Sequence, residues 1–135
     1  MNIEHFDDLL RAARAQPQPQ CLLLVFVQVT LPDDSTEAER ADFEAGQGGA
    51  LVPVMCVDLA PERLAVMDSF DALRAEADGR STGWDMVLAG ALAGQAGRGP
   101  DDASVNAALD RLLERVQQGD IGGLIPFSRS GEALE

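Results

Sequence analysis

The chain has 135 residues and a net charge of −13, from ten basic and twenty-three acidic residues, and every basic residue is an arginine. A surface this acidic repels phosphate backbones and anionic headgroups, so neither nucleic acid nor membrane is expected as a partner. Without lysine there is no Schiff-base chemistry and no P-loop; 46% hydrophobic residues suit a globular domain that needs no metal or disulfide to fold.

A first helix is expected from Ile3 to Ala15, because Phe6, Leu9, Leu10 and Ala13 share one face and Asn2 stands ready as a cap. Pro17 and Pro19 break it. The run Cys21 to Leu31 then barely alternates, so it reads as a strand buried on both faces, the pattern that parallel sheets demand. A second helix from Thr36 to Ala45 opens with the capping box Thr36–Glu39 and stops at Gly46. Its apolar face is thin, which places it on the rim.

Leu51 to Ala60 forms the second strand. Pro53 cannot donate to a ladder, so the strand either begins after it or lies at an edge. Glu62 to Met67 suits a short helical turn, and Asp68 or Ser69 caps a further helix from Phe70 to Asp78 that Gly79 ends. Met86 to Ala93, introduced by Trp84, is the third strand. Val105, Leu109, Leu112, Leu113 and Val116 make the cleanest apolar stripe in the chain, with Asp101 and Asp102 at its start and Gly119 at its end. Gly123 to Phe127 gives a short last strand whose Pro126 suits an edge, and Ser128 to Gly131 can turn the chain into a terminal hairpin.

Four apolar runs alternating with helical patterns predict an α/β fold: one domain over residues 1–133, in two or three layers. About four mostly parallel strands and about four helices are expected, the final strand at an edge. Leu134-Glu135 reads as a junction left by cloning. Cys21 and Cys56 lack metal-ligand spacing and no secretory signal precedes them, so both read as core residues of a cytoplasmic protein.

Parallel strands would bring Asp33, Asp34, Asp58 and the loop Gly94 to Gly99 to one edge of the sheet, where such folds bind ligands. In that loop Gly94, Gly97 and Gly99 offer backbone N–H groups, and Arg98 offers a bidentate contact to an anion. The loop matches neither G-x-G-x-x-G nor the P-loop, and Asp101 and Asp102 stand where an anion would sit. His5, the one histidine, has no nucleophile near it in sequence and reads as a surface helix residue.

Three stretches, FEAGQGGALVPVMCVD, GWDMVLAGALAG and DIGGLIPFSRSGEAL, resemble a family of small proteobacterial proteins often labelled ribonucleotide reductase subunit alpha. The resemblance covers nearly the whole chain and implies a bacterial cytosolic origin. It brings no catalytic residues, since catalytic subunits of that enzyme are several times longer and use three thiols where this chain has two. No catalytic residue, resident metal or cofactor is therefore expected. The expected function is a binding or interaction module whose site is either that sheet edge, at Asp33, Asp34, Asp58 and Gly94 to Gly99, or an acidic helical face docking a basic protein partner. The alternatives are a Mg²⁺-assisted phosphate-ester or nucleotide-binding enzyme at the strand-end carboxylates, and an accessory subunit of a larger complex.

Overall fold

The computed structural model describes residues 3–30, 36–44, 50–67, 69–81 and 83–134. In chain order the elements are α1 (Phe6–Arg14), β1 (Gln20–Thr30), α2 (Glu37–Glu44), β2 (Ala50–Leu59), α3 (Pro61–Val66), α4 (Phe70–Asp78), β3 (Met86–Ala93), α5 (Asp102–Gln117) and β4 (Ile125–Ser128). The strands form one sheet in the order β2-β1-β3-β4, and every neighbouring pair is antiparallel.

This corrects the expectation of mostly parallel strands. The apolar run of β1 does report burial on both faces, since residues 21–27 are all buried. Two-sided burial follows from helices on both faces and says nothing of strand direction. Here β1 is a central strand, and β1–β2 and β3–β4 are antiparallel pairs with a helix inserted in each connection. Among the described residues there are five helices, the short turn after Pro61 counting as one of them.

Alternation along β1 divides the core in two. Leu22, Leu24 and Phe26 face α1, α3 and α4 and join Phe6, Leu10, Leu64, Phe70, Leu73, Trp84 and Phe127. Cys21, Leu23, Val25 and Val27 face the other way, onto Val105, Ala108, Leu112 and Val116 of α5. The result is three layers. Burying one such side chain contributes about 1.5–3 kcal/mol, so both helical layers are held chiefly by burial.

Local signals fix the helix ends. The α2 box forms as the sequence predicts: Glu39 N–H donates to Thr36 Oγ1 at 3.1 Å, and Thr36 N–H to Glu39 Oε1 at 3.2 Å. Ser69 accepts from Ala72 N–H at 3.3 Å, and Asp101 from Ser104 N–H at 2.6 Å. The first helix is shorter than expected and is capped by His5, whose Nδ1 accepts from Asp7 N–H at 3.0 Å while Asp8 accepts from His5 N–H at 3.1 Å. The expected cap Asn2, together with Gly46 and Asp68, lies outside the described residues.

The two prolines sit at the two edges. Asp85 N–H donates to Val27 O, so the polar groups of Val27 point toward β3. Its antiparallel partner Pro53 therefore points outward, beside a bulge in which Val54 is the extra residue, and no ladder bond is lost. At the far edge Pro126 O accepts from Leu134 N–H at 2.8 Å. There the chain turns at 128–131, Ala133 bridges Phe127, and Glu132 bridges His5.

Candidate functional site

The glycine-rich loop is a tight two-residue hairpin. Gln95 and Arg98 exchange both backbone hydrogen bonds at 2.9 Å, and Ala96 and Gly97 between them take φ of 53° and 77°. Positive φ at both central positions is a type I′ turn, which needs glycine at one of them far more than it needs a ligand. Its donors are used inside the protein: Gly94 N–H donates to Pro19 O at 2.8 Å and Gly97 N–H to Gln18 Oε1 at 2.9 Å. Gly99 lies against Pro61, where an added Cβ would meet the ring at 2.8 Å. The loop thus clamps the end of β3 to the start of β1 and to α3, with Arg98 exposed at its surface.

Antiparallel pairing puts the exit of β1 and the Asp58 end of β2 at opposite ends of the sheet, where parallel strands would share one. Asp58 pairs with Leu23, at the end of the sheet where β1 begins and β3 ends. The chain leaves β1 at Thr30, opposite Ala50, which is the other end of the sheet. Asp33 and Asp34 follow that exit and lie outside the described residues. The structure therefore brings Asp58, Gly94, Gly97, Arg98 and Gly99 to one end of the sheet. Among the described residues no group of three or more His, Cys, Asp or Glu is placed to hold a metal ion.

Beside the hairpin is an open cleft of about 460 Å³, lined among others by Gly94, Arg98, Gly99, Asp101 and Ser104. Asp101 there is a helix cap, and the Ser104 N–H and hydroxyl hold its carboxyl below the usual aspartate range. The cleft therefore carries a standing negative charge at the helix N-terminus.

Neither thiol is poised for chemistry. Burial, with Asp58 and Glu62 adding to it, pushes Cys21 up to about 11, and burial with Asp110 raises Cys56 as well. At neutral pH both are thiols, and the thiolate is the reactive form. His5 is spent on its cap, with Nε2 3.1 Å from Ser130 O and the ring against Phe70.

Sequence reasoning missed the densest polar cluster. Arg129 donates to both oxygens of Asp78, at 2.9 and 3.1 Å, and to Trp84 O at 3.0 Å, while its guanidinium lies 4.2 Å from the Trp84 ring centre. Trp84 Nε1 donates to the same Asp78 at 3.0 Å, and Arg74 holds Arg129 O at 3.0 Å. The cluster fastens the terminal hairpin to α4. Arg74, Asp78 and Trp84 lie close together in the chain, but Arg129 reaches them from the terminal hairpin and the four form no motif, so no spacing announces the cluster.

The second helix presents a different surface. Every described side chain from Thr36 to Ala41 is exposed, including Glu37 and Glu39. No protein family, curated protein or solved structure matches this chain.

Proposed function

We propose that this chain is a non-catalytic interaction module of the cytoplasm, and that α2 is the element that docks a protein partner with a basic surface. The observation that supports this reading most is the exposure of the described α2 side chains, Glu37 to Ala41. A helix of eight residues is too short to persist in water by itself, and helices of globular proteins draw their stability from a buried face. The described side chains of α2 bury none. Its sequence, EAERADFE, has four carboxylates against one arginine, so a partner that covers it gains by supplying positive charge. Ala38 and Ala41 are small enough to let a partner approach the helix closely.

The expected outcome is salt-sensitive binding of a basic amphipathic peptide, with amide shifts centred on residues 36–44. Exposed charge pairs are screened beyond about 8 Å at physiological ionic strength, so the shifts should fade on going to about 1 M salt. They should also fade when Glu37, Glu39 and Glu44 are all changed to Gln. Binding that survives the triple change, or shifts centred elsewhere, would sink the proposal.

A further inference from the structure

The α5 layer does not cover its face of the sheet evenly. Beside the helix runs a groove of about 410 Å³, formed by Ala108, Arg111, Leu112 and Arg115 of α5 against Gly90 to Leu92 of β3 and Gly123-Leu124. Its floor is apolar. Leu23 and Leu112 are buried there, and Leu92 and Leu124 are half-buried. Gly90 keeps the floor open: a Cβ at that position would lie 2.9 Å from Leu124.

Arg111 and Arg115, one turn apart on α5, line the groove. Arg115 is committed, donating to Asp120 at 3.3 Å and to Gly122 O. Arg111 has neither hydrogen-bond nor ion-pair partner among the described residues. In a chain of net charge −13, an uncommitted guanidinium beside an apolar channel is the local exception.

We propose that this groove is a binding site for a medium-chain alkyl carboxylate, the chain lying on Leu23, Leu92, Leu112 and Leu124 and the carboxylate held by Arg111. A planar guanidinium fork matches a carboxylate in bidentate fashion. The volume falls within the range of small-molecule sites. A single negative charge suits the groove better than a doubly charged phosphate, because the rest of the molecule repels anions. The site is independent of α2, so either reading can fail without the other.

The test is an amide-shift titration of the intact chain with decanoate, with decanol and acetate in parallel. Decanoate should give saturable shifts confined to residues 90–92, 108–115 and 122–124. Arg111→Gln, at an exposed position, should leave the remaining spectrum unchanged and weaken decanoate about tenfold. Decanol should bind wild type about as weakly as decanoate binds the variant, and acetate should bind more weakly still. Absence of saturable shifts below the concentration at which decanoate self-associates would overturn the proposal. Equal binding of decanol and decanoate, or an unchanged affinity in the variant, would overturn it as well.

Discussion

On one side of β1, Leu22, Leu24 and Phe26 meet Phe6, Phe70, Trp84 and Phe127; on the other, Cys21, Leu23, Val25 and Val27 meet the small and aliphatic side chains of one helix. The aromatic side is interlocked. Phe26 and Trp84 cross edge to face at 4.9 Å, Phe6 and Phe127 at 5.1 Å, and Phe6 tilts against Phe70 at 5.3 Å. Two chain ends are sewn into it, with Phe6 N–H donating to Gly131 O and Ala133 N–H to Glu4 O, both at 2.8 Å. The α5 side carries no aromatic ring in its buried cluster and keeps a groove beside Gly90. Large rings fill the middle of one layer, which keeps a cleft of about 350 Å³ only at its margin between α1 and α3, whereas alanine, glycine and leucine leave room beside the sheet strands in the other.

The largest test of that contrast is Trp84→Ala, which should cost about 3–5 kcal/mol in chemical denaturation. The change removes the ring from the Phe26 contact and a hydrogen-bond donor from Asp78. Leu112→Ala on the α5 side should cost about 2–3 kcal/mol, the low end for a buried leucine, because its site already borders open space. A Leu112 cost equal to that of Trp84 would erase the contrast. Arg129→Ala should cost about 1–2 kcal/mol and alter the fluorescence of the single tryptophan, since the guanidinium lies over its ring. His5→Ala removes the α1 cap and should cost about 1 kcal/mol.

The smallest effect is at low pH. Backbone N–H groups of Glu4 and His5 hold Asp8 below its ordinary 3.8, and Arg115 with Gly122 N–H does the same for Asp120. Asp101 is lowered by its cap. A carboxyl whose folded value is depressed stabilises the fold above its unfolded value, and that contribution is lost as pH falls through the folded one. Stability should therefore decline gently below about pH 4, and by less in Asp101→Asn than in wild type.

Much of the fold was legible because its signals are local. The bounds of β3, the Thr36–Glu39 box, the edge positions of Pro53 and Pro126, and the hairpin after Ser128 follow from periodicity, capping and turn chemistry. Strand direction was not legible, because β1 looks the same between two helical layers whichever way its neighbours run. That single ambiguity decides which strand ends share an edge of the sheet. Parallel strands would gather Asp33, Asp34, Asp58 and the glycine loop on one edge, whereas the observed pairing leaves β1 at the opposite end from Asp58. Gly94 and Gly97 suggest donors to a ligand because sequence shows a glycine but not the partner of its N–H, here Pro19 O and Gln18 Oε1. The α5 stripe was found, but the groove beside it depends on Gly90 facing Leu124, which only tertiary structure can show.

The most direct measurement of the central contrast is the broadening of leucine methyl resonances by a soluble paramagnetic probe. Unequal faces predict strong broadening at Leu92 and Leu124 and none at Leu10, Leu22, Leu24 and Leu59, which are at most 1% exposed. Equal protection of the two sets would mean that the α5 face is as closed as the aromatic one, and would contradict the account.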